Sequence, residues 1–431
     1  MAKPKLALIP AAQGTKLFSV LPSDGSGDFT FARGSVATRI NAQGLIENVA
    51  SGQSRLNYPM IDGVQKGCPH HILEPARTNV IQYSESFSNS YWTKLNSSIT
   101  SNSVISPDGS LNASKLTEDT SVGEHSISAS PLVGVSDLST SIFVKYAGSE
   151  YIVLRSNSSG GAYLNCTFNL LTGVNTFNGF LFGFEITPMP NGWFRISGTN
   201  RSSASAFRIN SFCLSPTNVT SNTTPSYTGD GTSGVYIYGA QIEAGSFPTS
   251  YIPNNGNAAG VTRSAETANG AGNASTFNDS EGVLMVESSL LDVSQDGNRI
   301  SISDGSSAEN RITFRYLNDN EIQIELGLTN GFSEILNLDN SENFNKIAVV
   351  YNSTNASVFI NGFNLVTDTM SALSGLSQLQ FNRFNANTEN FYGNTKQIQY
   401  FDSALDSEQL EQLTSWTSFT DMANGQLYTI E

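Results

Sequence analysis

Charge is the first thing this chain is short of. Asp, Glu, Lys and Arg together make up 14% of its 431 residues, against about 25% in an ordinary soluble protein. So thin a supply argues against helical bundles, whose outer faces are built from charged residues. Cysteine is also scarce. Three thiols, Cys68, Cys166 and Cys213, are odd in number and widely spaced, which excludes a disulfide framework and the usual spacings of a metal site. They are expected to be buried free thiols, because free cysteine is among the most buried residue types. Histidine numbers three, His70, His71 and His125. The adjacent pair points to opposite sides of an extended segment, so it cannot easily share a metal, and a structural or solvent-facing role is expected. There is no Gly-x-Ser-x-Gly elbow and no P-loop. No apolar run approaches a membrane span. The N-terminal MAKPKLALIPAAQG has too short an apolar stretch, interrupted by Pro10, to read as a signal peptide.

Ser, Thr, Asn and Gly fill the gap, with 25 Phe and 15 Tyr to supply cores. That mixture suits short strands joined by polar turns. At this length two or three domains are expected. The net charge of −15 is uneven. Residues 1–80 hold 8 basic against 5 acidic residues, residues 81–279 hold 8 against 12, and residues 280–431 hold 6 against 20. So acidic a last third repels nucleic acid and anionic membranes. Asn-x-Ser/Thr triplets at Asn96, Asn157 and Asn218 are what such a composition generates without glycosylation.

Turn residues divide the chain. Residues 1–80 look irregular, with short strands at Lys5–Ile9 and Leu17–Leu21 and then repeated glycines. Such a segment either docks on a neighbouring subunit or another protein, or covers the next domain as an extended arm. Residues 81–255 carry strand patterns at Ser139–Tyr146, Tyr151–Ser156, Ala162–Asn169, Gly192–Thr199, Phe207–Leu214 and Gly234–Ile242, a spacing that indicates a β-sandwich. Asn191-Gly192 marks a hairpin turn. Residues 256–280, rich in Gly, Ala and Asn, read as a linker. Residues 281–425 repeat the strand pattern at Gly282–Ser288, Asn298–Ile302, Arg311–Tyr316, Glu321–Leu328, Phe344–Tyr351, Ala356–Ile360, Leu376–Phe384 and Gln397–Phe401. One short helix follows, with Asp406 as N-cap, Gln409 completing a capping box, and Leu410 and Leu413 as its apolar face. The fold class is therefore all-β: tandem sandwiches after an irregular N-terminal segment, with the second unit spanning residues 281–431.

Several stretches carry resemblances. Gly239-Ala240-Gln241-Ile242-Glu243, Thr249-Ser250-Tyr251-Ile252-Pro253 and Thr262-Arg263-Ser264-Ala265-Glu266 follow Val235–Tyr238. As physics, Val235–Pro253 reads as two strands at a hairpin edge. As sequence, the run is similar to the close of a carbohydrate-binding-like sandwich in structural proteins of tailed bacteriophages. Upstream, FSVLPSDGSGDFTFARGSVATR (18–39), ILEPARTN (72–79) and Tyr83–Phe87 with Tyr91–Lys94 resemble virion appendage proteins of phages of Bacteroidota, the crAss-like group included. The His70-His71 pair departs from that pattern. Lys346–Tyr351 with Ser357–Gly362, and Gln399–Leu410, are similar to the laminin-G-like, concanavalin-type jelly roll. The resemblance implies a structural subunit of a head or tail fibre on the virion, assembled in the host cytoplasm. It also implies attachment to other virion proteins through the N-terminal segment, and a homodimer or homotrimer.

The sequence offers little catalytic chemistry. Glycosidase action needs two carboxylates across a cleft. The nearest candidates, Glu321 and Glu325, share a strand face with Gln323, as a solvent-facing side does. The chain is expected not to be an enzyme and to need no cofactor, although Asp292, Asp296 and Asp304 are possible ligands for a loop Ca²⁺. Trp92 and Trp416 are the candidate glycan contacts, with packing as the alternative for both and for Trp193. The jelly-roll resemblance implies host-surface glycans as the ligand of residues 281–431, and neither nucleic acid nor membrane is an expected partner. A secreted bacterial glycan-binding protein, a capsule-degrading enzyme on the virion and a purely structural decoration are the alternatives.

Overall fold

The computed structural model describes residues 3–13, 16–129, 137–157, 163–179, 182–201, 208–306, 309–327, 331–383 and 389–416. The chain is all-β, and its strands form two tandem sandwiches. Among the described residues there is one α-helix, Ser407–Thr414, and it is too short to cross a membrane.

The first sandwich pairs two six-stranded antiparallel sheets. One runs in the order Thr93–Leu95, Ser126–Ser128, Arg208–Ser215, Tyr151–Asn157, Tyr163–Asn169, Val174–Asn178. The other runs Ser97–Ile105, Leu111–Glu118, Gly234–Ala244, Asp137–Tyr146, Trp193–Arg201, Phe182–Met189. Alternating side chains such as Ile142, Val144, Ile152, Leu154, Phe168, Leu214, Val235 and Ile237 meet between the sheets in one core. The hairpin at Asn191-Gly192 forms as the turn chemistry requires: both residues have positive φ, and Met189 pairs with Trp193.

The Val235–Pro253 run is not a hairpin edge. Gly234–Ala244 lies inside its sheet, between Leu111–Glu118 and Asp137–Tyr146, and no strand follows it through residue 253. A bulge displaces the register between Ser141↔Gln241 and Phe143↔Tyr238. Gly239 sits in it at φ +61°, where a β-carbon would crowd the Phe143 and Tyr251 rings.

The second sandwich is where the sequence and the structure part. Its smaller sheet is built from four of the expected strands, Glu321–Leu326, Arg311–Tyr316, Asn298–Ser303 and Gln378–Gln380, with Phe332–Asn337 added at one edge. Its larger sheet recruits the N-terminal residues. In order it runs Thr267–Asn269, Phe29–Ala32, Lys16–Leu21, Leu6–Gln13, Gly393–Phe401, Glu281–Leu290, Asn345–Asn352, Asn355–Ile360, Phe363–Thr369, with His70–Leu73 also pairing to Gly393–Phe401. Leu6, Leu8, Phe29, Phe31 and Leu73 are buried in the same cluster as Leu284, Phe314, Ile347 and Tyr400. The N-terminal arm therefore crosses the first sandwich and completes the second.

The expected linker is likewise built in. Val261–Arg263 pairs with Arg77–Asn79, Thr267–Asn269 pairs with Phe29–Ala32, and Ala268, Ala271 and Phe277 are core residues. Gly260 and Gly272 have to be small there, because a β-carbon would meet the Thr78 and Phe277 side chains.

The helix behaves as its sequence indicates. Asp406 Oδ1 accepts the Gln409 N–H at 2.9 Å, and Gln409 Oε1 accepts the Asp406 N–H at 3.2 Å. Leu410 and Leu413 pack with Val283, Met285, Phe359 and Phe401. Replacing Asp406 with Ala is expected to cost about 1 kcal/mol, read as a lower urea midpoint with unchanged slope.

Candidate functional site

Where the arm, the two sandwiches and residues 249–266 converge, the structure buries a set of ionised side chains. Arg33, Arg55, Glu74, Glu243, Arg263 and Glu266 are each at most 3% exposed. The Glu266 carboxylate receives Arg33 at 2.6 Å and also pairs with Arg55. Glu74 receives Arg55 at 2.7 Å and Arg263 at 2.8 Å. Backbone closes the set: the Glu74 N–H donates to Glu266 Oε2 at 2.9 Å, and the Ser250 N–H to Glu74 Oε1 at 2.7 Å. Ser250 Oγ adds a bond to Glu74 at 2.6 Å. Burial alone would raise the Glu74 carboxyl, but Arg263 and Arg55 hold it down at about 2.

The phage-like motifs are the material of this joint. Glu243 accepts from Gln241 Nε2, the Thr249 N–H and Thr249 Oγ1, at 2.7, 2.7 and 2.6 Å. Gln241 Oε1 accepts the Ile252 N–H at 2.6 Å. Asn79 Nδ2 donates to the Ile252 carbonyl at 2.8 Å, and its Oδ1 accepts the Ile81 and Ile242 N–H groups. Gly245 leaves room for Arg77, whose Nε would lie 2.5 Å from an added β-carbon. Gln241, Glu243 and Asn79 thus hold residues 249–252 against the first sandwich.

Beside the joint opens a cleft of about 320 Å³, within the range of roughly 300–1,000 Å³ usual for small-ligand sites. Thr38–Ile72 of the arm forms one wall. Phe143, Glu185, Thr187, Arg195 and Thr249–Tyr251 of the first sandwich form the second. Leu291, Phe344 and Asn394 of the other sandwich form the third. Tyr58 and Met60 are half-buried and offer apolar surface next to the amides of Asn57 and Asn394. Arg195 reaches in from the strand Trp193–Arg201. Its Nη2 donates to the Thr249 carbonyl at 2.5 Å and to Ser141 Oγ at 3.0 Å.

His70 also lines the cleft, 5.4 Å from the Phe344 ring. The Ile40 N–H occupies Asn57 Oδ1 at 2.8 Å, so the Asn57 NH₂ faces His70 Nε2 at 3.3 Å. The ring proton therefore sits on Nδ1. Both expected histidines are structural: burial pushes His70 and His71 down to about 3. A depressed histidine pKa means the unfolded chain takes up the proton first. Stability is complete above pH 6.5 and falls as the pH drops toward 3, by about 1.4 kcal/mol per pH unit per histidine. Glu74 adds to the loss only below pH 4.5. Urea midpoints at pH 7, 6 and 5 are expected to fall accordingly, with His71→Leu about halving the slope above pH 4.5.

The sequence candidates lie elsewhere. Trp92 is 2% exposed, packs on Phe87, Tyr91 and Phe212, and donates Nε1–H to the Tyr83 carbonyl at 2.9 Å. With both faces covered it is a core residue, not a sugar platform. Trp193 is likewise buried and donates to the Ile105 carbonyl. Trp416 is half-buried at the end of the helix in the other sandwich, with Lys346 Nζ 4.4 Å from its ring centroid. The two candidates therefore form no common surface. Glu325 sits between Arg299 and Arg311 at 3.0 Å each, which removes it from any acid–base pair with Glu321. Asp296 pairs with Arg315 at 3.5 Å, and Asp304 caps its own turn through the Ser306 N–H. Among the described residues no three His, Cys, Asp or Glu side chains group to hold a metal. Cys166 and Cys213 are buried, with thiols pushed up to about 12 by burial, whereas Cys68 is exposed in a turn. A thiol reagent is expected to label the folded protein once, at Cys68, and three times after denaturation.

No family model and no curated protein matches the chain. Among solved structures it is similar to the CBM40 of Ruminococcus gnavus IT-sialidase bound to alpha2,3 sialyllactose, at 14% identity and a TM-score of 0.30, over 34% of this chain and 92% of that one. It is also similar to domain 4 of AbnA, a GH43 extracellular arabinanase from Geobacillus stearothermophilus in complex with arabinotriose. That match has 11% identity and a TM-score of 0.29, over 35% and 73% of the two chains. Likenesses of this size do not bear on what this chain binds.

Proposed function

We propose that this protein is a non-enzymatic structural subunit of a virion appendage, a head or tail fibre, that adheres to host-surface glycans. The observation that carries the reading is the cleft. It is a concave site of sugar size, walled by aromatic and amide side chains. It lies at a joint made from the residues that resemble phage appendage proteins. A fibre subunit must keep its domains in fixed relation under load, and a buried, ion-paired joint does that at the point where the chain crosses between sandwiches. The neutralised Glu325 supports a binding role over a hydrolytic one. Attachment to capsid or tail proteins falls to surfaces of the arm, and self-association as a dimer or trimer multiplies weak sites into useful avidity.

Binding of the purified full chain to a glycan array, together with competition by the same protein against adsorption of particles to host cells, tests this reading. Array binding with reduced adsorption is the expected result. Array silence with tight particle binding would replace adhesion by decoration. Release of reducing sugar from host polysaccharide would replace it by a degrading enzyme.

A further inference from the structure

Around the cleft the charges do not balance. Arg33, Arg55, Arg77, Arg195 and Arg263 are gathered there against Glu74, Glu185, Glu243 and Glu266. Four of the arginines have a carboxylate within 4.0 Å: Arg33 and Arg55 at Glu266, Arg263 at Glu74, and Arg77 at Glu243. Arg195 has none among the described residues. Its bonds go to a carbonyl and a hydroxyl, both neutral, through Nη2 alone. It is the arginine of the five that lines the cleft. A guanidinium out of bulk water that feels Glu243, Glu185 and Glu74 only from beyond ion-pair distance is costly to keep, and its fork matches a carboxylate in particular.

We infer that the cleft takes an acidic sugar, with the ring carboxylate on the Arg195 guanidinium and the hydroxyls on the polar rim. Glu185 is exposed at the rim, where Thr187 Oγ1 donates to it at 2.6 Å. It accepts from ligand hydroxyls there, as the Asn394 amide oxygen does from another wall. Tyr58 and Met60 cover the apolar ring face. The site exists only with all three walls in place, so it belongs to the whole chain and not to either sandwich. This inference rests on the glycan-adhesion reading and narrows its ligand.

The test uses the full chain, titrated calorimetrically with methyl β-D-glucuronide and methyl β-D-glucoside. The wild type is expected to prefer the glucuronide by at least about tenfold, with the preference shrinking as salt rises. Arg195→Gln is expected to bring the two affinities level, and Thr187→Trp, which fills the cleft from its rim, to abolish both. If Arg195→Gln does not fold, Arg195→Lys keeps the charge but not the fork. It should retain the preference with affinity several-fold weaker. Equal affinity of the wild type for the two sugars overturns the inference and leaves glycan adhesion standing. An acidic preference that survives Arg195→Gln or Thr187→Trp places the site elsewhere and also overturns it. Silence toward both glycosides and toward every sugar on the array overturns the adhesion reading as well.

Discussion

Glu266→Ala is expected to be among the most damaging single substitutions in this protein. The carboxylate it removes is the partner of Arg33 and Arg55, both buried, and it also accepts the Glu74 N–H. Among the described residues no other carboxylate pairs with Arg33. Breaking a buried ion pair from one side costs about 3–5 kcal/mol, because the remaining charge stays out of water. Here one carboxylate serves two cations, so the upper end is expected. Against a total stability of about 5–15 kcal/mol, the variant should unfold at a far lower urea concentration. Arg39→Ala is the control. That guanidinium pairs with Glu47 on a part-exposed surface, where an ion pair contributes about 0–1 kcal/mol. A shift of similar size in the two variants would mean that the buried set is not what holds the joint.

Removing residues 1–55 is expected to cost even more, and at a distance. The missing strand Leu6–Gln13 covers the Ile398–Tyr400 part of Gly393–Phe401. The deletion takes Leu6, Leu8, Phe29 and Phe31 out of the second core. At about 1.5–3 kcal/mol for each large apolar side chain, those four alone contribute on the order of 10 kcal/mol, comparable to the whole stability of a domain. It also exposes the backbone edge of Gly393–Phe401, an invitation to aggregation. A chain starting at residue 281 should fare no better. Circular dichroism and amide-proton dispersion of the shortened chains would read this. A cooperative, well-dispersed fold from residue 281 onward would show that the second sandwich stands without the arm.

What was legible in the sequence follows from strand position. Interior strands such as Arg311–Tyr316 and Tyr151–Asn157 bury at least one whole face, so their patterns stand out, and the turn chemistry of Asn191-Gly192 and the capping box at Asp406 is local by nature. Ser97–Ile105, Phe182–Met189, Phe332–Asn337 and Phe363–Thr369 gave no clear pattern because they are edge strands with much of their surface in water. The return of the arm to the second sandwich was not legible, because pairings across hundreds of residues leave no local mark. The joint was half-legible. In a chain so poor in charge, Arg33, Glu74, Arg263 and Glu266 each stand beside apolar or small residues inside distinctive motifs, which is where buried partners are found, whereas Arg55 lies outside them. The motifs were read as a sign of kinship, and the structure gives them a mechanical reason. Arg195 carried no signal beyond its alternation with Trp193.

The most direct test of the central reading is to label intact particles with antibodies raised against the folded full chain and to image them. Label on the head or on the tail is the predicted result, and it identifies which appendage the protein builds. Bare particles, with the signal on bacterial cells or in the medium instead, would contradict the virion reading and favour a secreted glycan-binding protein.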